Sequence, residues 1–62
     1  MRIAVDAMGG DHAPAEIIKG ALDAVRYTDD IHIVLVGQEE IIKKHLPGSF
    51  DPQRISLVHC AE

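Results

Sequence analysis

The sequence predicts an α/β fold built on a parallel sheet, and three observations predict it. Apolar, β-branched runs recur at Ile3-Ala4-Val5, Ile31–Val36 and Ile55–Cys60, the composition of short strands. Between them lie two segments whose apolar residues fall at helical spacing. Strands that alternate with helices in this way are joined by right-handed crossovers and run parallel.

Taken in order, residues 2 to 5 read as a strand that ends at Asp6. Residues 14 to 27 read as an amphipathic helix. Ile17, Ile18, Ala21, Leu22 and Val25 fall on one stripe, with Glu16, Lys19, Asp23 and Arg26 on the other side. Pro14 suits the first helical position, where a missing N–H is no loss, and Glu16 suits the positive end of the helix. Gly20 in mid-helix costs roughly 0.5–1 kcal/mol relative to alanine. It implies either close packing there or a tolerated imperfection. Thr28-Asp29-Asp30 is a turn, Ile31–Val36 is a strand closed by Gly37, and Glu39–Leu46 is a short second helix ended by Pro47-Gly48. Asp51-Pro52 falls in a loop before the third strand. The β-α-β-α-β order is that of the start of a Rossmann-like parallel-sheet sandwich.

The size of the chain limits what this fold can do alone. Sixty-two residues make one domain or a piece of one, and a chain so short buries only about 60% of its unfolded surface. Ile31, Ile33 and Leu35 point to one side of the central strand and Val34 and Val36 to the other, so both faces expect cover. Strands spaced about 4.8 Å apart make a sheet wider than one helix of roughly 10 Å diameter. Two helices therefore leave one face bare or both half covered, and residues 1–62 read as part of a single, larger α/β domain.

Composition narrows the function classes. The formal charge is −4, from six Lys and Arg against ten Asp and Glu. No basic cluster or aromatic platform is present, which argues against a nucleic-acid partner. Cys60 is the single cysteine, so no internal disulfide or C-x-x-C zinc site is possible, and a reducing cytoplasm fits. Its sequence neighbourhood lacks a basic partner that would make the thiol reactive. The segment carries no signal-peptide pattern and no apolar run long enough for a membrane span. No set of histidines has metal-ligand spacing, and His32, His45 and His59 read as structural.

The stretch Asp6-Ala7-Met8-Gly9-Gly10-Asp11-His12-Ala13-Pro14 concentrates the residues that could carry chemistry. It joins the first strand to the first helix, the junction at which open α/β sheets bind ligands. Gly9 and Gly10 allow positive φ and close approach of main-chain N–H groups to an anion, with the helix start alongside. A tight turn that merely redirects the chain would also use them. Asp6 either orients a ligand hydroxyl or water, or accepts hydrogen bonds from the loop's own amides. His12 is a candidate proton donor near neutral pH, or a solvated loop histidine. Asp11 either steadies the His12 tautomer or faces the helix N-terminus. The G-x-G-x-x-G fingerprint, the Walker A loop and the G-x-S-x-G elbow are all absent.

The string D-A-M-G-G-D-H-A-P at Asp6–Pro14, preceded by Arg2-Ile3-Ala4-Val5, closely resembles the opening of the PlsX-type phosphate acyltransferases. The likeness continues through Glu16-Ile17-Ile18-Lys19-Gly20-Ala21, the strand Ile33–Gly37, and His59-Cys60-Ala61-Glu62. Family members are several times longer, so the resemblance implies that this is an N-terminal portion. It also implies a phosphate acetyltransferase-like fold and transfer of a long-chain acyl group from acyl carrier protein to inorganic phosphate. The acyl phosphate would serve glycerol-3-phosphate acylation in phospholipid synthesis. Further implications are a homodimer, a cytoplasmic location with peripheral membrane association, a link to glycerol-3-phosphate acyltransferase, and no metal or organic cofactor. The positions that match the family's motif are Asp6, Met8, Gly9, Gly10, Asp11 and His12. Asp6 and His12 are the candidates for catalytic proton handling; Met8, Gly9, Gly10 and Asp11 are those for phosphate or substrate binding. Two other readings stand beside this one: a nucleotide- or coenzyme-binding Rossmann-like domain, and a non-enzymatic interaction fragment.

Overall fold

The computed structural model describes residues 1–60. Ala61 and Glu62, which end the string compared with the family, lie outside the described residues. Five elements follow one another: β1 (Arg2–Asp6), α1 (Ala15–Tyr27), β2 (His32–Gly37), α2 (Glu39–His45) and β3 (Ile55–His59). The strands form a sheet of order β1-β2-β3, and both pairings are parallel, with Val5 opposite Leu35 and Leu35 opposite Leu57. This register brings the carboxyl ends of all three strands to one edge.

Crossovers of one hand between successive neighbouring strands place their helices on the same side of a sheet. The two helices accordingly pack against each other as well as against β2. Ile18 and Ala21 of α1 and Ile42 of α2 share one core with Ile33, Leu35 and Ile55 of the sheet. Burying a side chain of this size contributes about 1.5–3 kcal/mol, so these few residues set the orientation of both helices. Of the two arrangements open to two helices, the protein adopts the one with a shared face. Ala4, Val34, Val36 and Val58 alternate onto the opposite face of the sheet, and Val58 there is 48% exposed.

The predicted stripe on the first helix is the observed one: Ile18 and Ala21 are buried, and Ile17, Leu22 and Val25 pack partly buried against the core. Element ends shift by a residue. Pro14 is not the first helical residue but the N-cap, its carbonyl accepting the Ile18 N–H at 2.9 Å. In β2, Ile31 drops out of the strand because its carbonyl accepts from Arg54 Nε at 3.0 Å. Gly37 joins the strand, its carbonyl accepting the Cys60 N–H at 2.8 Å. The second helix stops at His45, with Leu46 as its C-cap, and the third strand stops at His59. Gly20 is exposed, and a Cβ there would meet nothing within 4 Å. Among the described residues it therefore makes no packing contact, and the glycine is a tolerated imperfection in the helix.

The amino-terminal edge of the sheet is tied by side chains. Arg54 donates from Nε to the Ile31 carbonyl and from Nη2 to the Thr28 carbonyl, which fastens the α1–β2 turn to the start of β3. His32 spans the same edge, with Nδ1 2.8 Å from the Gln53 carbonyl and Nε2 2.6 Å from Ser56 Oγ. Both ends of this bracing lie away from the edge where the glycine loop emerges.

Candidate functional site

The loop after β1 is built by three successive constraints. Ala7 is fully buried, and its N–H donates to the Val36 carbonyl at 2.9 Å, so the chain stays beside β2 one residue past the strand. Asp6 then accepts the Met8 N–H on Oδ1 at 2.9 Å. This side-chain-to-backbone bond two residues along mimics a turn and redirects the chain. The turn carries Gly9 over the same carboxylate, where a Cβ would sit 3.3 Å from Asp6 Oδ2. Gly10 follows with φ of 95°, and a Cβ there would meet nothing within 4 Å. The positive φ favours glycine at position 10, whereas at position 9 a Cβ would ask the Asp6 carboxylate to give by a few tenths of an ångström.

Met8 is the loop's anchor. Its side chain lies across the end of β2, where a Cβ on Gly37 would come within 2.6 Å of Met8 Cγ. Beyond the glycines the chain enters α1, with the Glu16 N–H donating to the His12 carbonyl at 3.2 Å. Among the described residues, the N–H groups of Gly9, Gly10, Asp11 and His12 have no protein acceptor. These four consecutive amides flank a positive-φ glycine just ahead of the helix whose N-cap is Pro14, and anion-binding nests are built from successive amides of this kind.

Beside this loop, at the carboxyl edge, lies an open cleft of about 490 Å³. Asp6 and Met8 line it from the loop, Val36 and Gly37 from the end of β2, and Cys60 from just past β3, with Ala4 and Val5 behind. The walls are mainly apolar. Among the described residues, Asp6 supplies the single charged side chain of the lining, and no Lys or Arg is part of it. An anion at its mouth would therefore draw on main-chain N–H groups rather than on cations from this segment.

The six residues singled out from the sequence divide into two groups. Asp6 and Met8 face the cleft. Gly9, Gly10, Asp11 and His12 form the adjoining loop without lining it, and the last three of these are exposed. Asp6 has the turn-forming role that was open to it, since one carboxylate oxygen holds the Met8 amide. Among the described residues Asp11 and the His12 ring share no hydrogen bond, so nothing there fixes the His12 tautomer.

The other three histidines are structural, as their positions imply. His45 Nδ1 lies 3.0 Å from the Ile41 carbonyl, and His59 Nδ1 accepts the Glu39 N–H at 3.2 Å, at the start of α2. Among the described residues no three His, Cys, Asp or Glu side chains converge as a metal ion would need. Val36, Gly37 and Cys60 escaped the sequence reading. The signal that would have found them is the rule already applied to β1: residues at the carboxyl ends of the neighbouring strands share its edge.

Fold and site together define an α/β protein with a ligand-sized cleft and a glycine-rich turn at the carboxyl edge of a parallel sheet. The family model described as "Fatty acid synthesis protein" matches residues 1–62, and the chain belongs to that family. It is 63% identical over 62 residues to a protein named Phosphate acyltransferase from Thermoanaerobacter pseudethanolicus. It is 56% identical over 62 residues to one of the same name from Desulfitobacterium hafniense, and 49% identical over 63 to one from Clostridium tetani. Each match covers 100% of this chain but only 18%, 18% and 19% of the relative. The chain thus spans about a fifth of the length of the curated relatives it matches. These relatives bear out the likeness carried by the Asp6–Pro14 string.

Proposed function

We propose that this chain forms part of a phosphate acyltransferase that moves a long-chain acyl group from acyl carrier protein to inorganic phosphate, yielding acyl phosphate for phospholipid synthesis. The observation that carries the reading is identity of 49–63%, across the whole chain, to proteins named Phosphate acyltransferase. The loop geometry supports it: Gly9 and Gly10 offer main-chain N–H groups beside an apolar-walled cleft.

In this mechanism a phosphate oxygen attacks the thioester carbonyl. A C–O bond forms, the C–S bond breaks, and the carrier's thiolate leaves with the proton given up by phosphate. The main-chain donors hold phosphate in position, and positioning of this kind supplies much of the rate gain for a direct displacement. Met8 and Asp11 flank the held group. Asp6 braces the turn with one oxygen, and its carboxylate or His12 passes the proton. The protein acts in the cytoplasm as a homodimer, peripherally at the membrane, and hands its product to a glycerol-3-phosphate acyltransferase. Acyl carrier protein is acidic and this segment carries a net charge of −4, so the carrier docks on a basic surface elsewhere in the protein. No metal or organic cofactor takes part.

The test is an assay of the complete protein with long-chain acyl carrier protein and phosphate. Acyl phosphate should form in proportion to phosphate, and NAD titration should show no binding. A folded protein that makes no acyl phosphate refutes the reading; one that instead binds the dinucleotide favours the coenzyme-binding alternative. The 62-residue chain alone is expected to be inactive, and acyl phosphate formation by it would overturn that expectation.

A further inference from the structure

We infer that Gly37 is a positioning residue for the phosphate loop, acting through the seat it provides for Met8. The inference rests on the functional reading above for its substrate, but its geometry is independent of that reading. Gly37 is buried at the last position of β2. Its φ lies outside the positive range, which among the glycines Gly10 alone occupies. Conformation therefore does not explain the glycine; room does. A Cβ at position 37 would lie 2.6 Å from Met8 Cγ, 3.3 Å from Met8 Sδ and 3.2 Å from Ile42 Cδ1.

The shortest of these contacts decides the consequence. Cγ is one bond beyond Cβ, so it moves away only if χ1 rotates or the Met8 backbone shifts. The Met8 backbone is held by the Asp6 carboxylate and leads directly into Gly9 and Gly10. Gly37 is also fixed on its other side, where its carbonyl accepts the Cys60 N–H at 2.8 Å. A side chain at position 37 must therefore unseat the Met8 side chain, either by rotating χ1, which removes the anchor of the loop, or by shifting the Met8 backbone, which carries the loop with it. The room at Gly37 thus sets where Met8, and the glycine amides that follow it, stand beside the cleft. Ile42 is fully buried and has little room to yield, so the alternative route for the strain runs through α2.

The experiment compares Gly37→Ala, Met8→Ala, the double variant and Ile42→Val/Gly37→Ala in the complete protein. Two readouts are used: kcat and KM for phosphate, and the labelling rate of Cys60, followed by mass spectrometry of its peptide. Cys60 is an exposed free thiol that lines the same cleft as Met8. A displacement near 1 Å can cost up to about a hundredfold in rate, so Gly37→Ala should lose roughly tenfold or more in kcat/KM for phosphate and change the Cys60 labelling rate. Adding Gly37→Ala to the Met8→Ala protein should change neither, because the atom that the new methyl would strike is gone, a non-additivity expected of residues in contact. Wild-type kinetics and labelling in Gly37→Ala overturn the inference, as does rescue by Ile42→Val instead of Met8→Ala. If Gly37→Ala fails to fold, the comparison of Met8→Ala with the double variant decides, and a further drop in the double overturns the inference. If the wild-type protein forms no acyl phosphate, the functional reading fails, while the labelling rates still decide the role of Gly37.

Discussion

Replacing Gly10 by alanine tests the anion-grip reading most directly, because the structure separates its two possible effects. A Cβ at position 10 meets nothing within 4 Å, so no clash arises, and the φ of 95° is the sole source of strain. Holding a side chain in left-handed backbone geometry costs about 1–2 kcal/mol. If the loop keeps its shape, that amount is lost from stability and phosphate binding survives. If φ relaxes to a negative value, the neighbouring peptide planes rotate and the amides lose their aim. A hydrogen bond to a charged acceptor contributes about 1.5–3 kcal/mol, so the apparent KM for phosphate should then rise roughly ten- to hundredfold, each 1.4 kcal/mol being about tenfold. Gly10, Asp11 and His12 are exposed and the space beside Gly10 is open, so relaxation and the KM effect are the expected outcome. Gly10→Asn, which tolerates positive φ better, should fall between wild type and alanine, and β-branched Gly10→Val should be worst. The assay is initial rate against phosphate concentration at saturating acyl donor, with thermal denaturation in parallel. A folded Gly10→Ala or Gly10→Val protein with wild-type phosphate dependence and an unchanged melting temperature refutes the grip, because the loop has then relaxed without any effect on binding.

Three further expectations rest on single contacts. Asp6→Asn keeps an oxygen that can accept the Met8 N–H and should preserve the thermal transition, whereas Asp6→Ala should lose about 1–2 kcal/mol with the turn; an activity loss in the stable Asn variant would assign catalytic weight to the charge. Arg54→Ala removes donors from the Ile31 and Thr28 carbonyls, and denaturant titration should show a loss of about 1–3 kcal/mol with the KM for phosphate unmoved. Gly20→Ala, at an exposed helical site with nothing within 4 Å of the new methyl, should gain roughly 0.5–1 kcal/mol and raise the melting temperature. A lower melting temperature would show that another part of the complete protein packs against the helix there.

Much of this architecture was legible without coordinates because it depends on local rules. Period-two and period-3.6 patterning located all five elements, and only their ends moved, where tertiary hydrogen bonds from Arg54 and Cys60 redrew β2. The positive φ of Gly10 follows from the paired glycines between strand and helix. The Asp6 turn was equally local, a carboxylate reaching an amide two residues on.

What required the fold was everything decided by strand order. Local patterning offered two distributions of helices over the sheet, and the order β1-β2-β3 selected the shared face. The same order put Gly37 and Cys60 beside Asp6, though 31 and 54 residues separate them in the chain. Glycine at position 37 looked like a strand terminator, and only the contact with Met8 shows that it provides room. Side-chain alternation and turn chemistry are properties of neighbours along the chain, so composition and spacing determine them. A cleft is a property of neighbours in space, and the parallel register alone decides which residues those are.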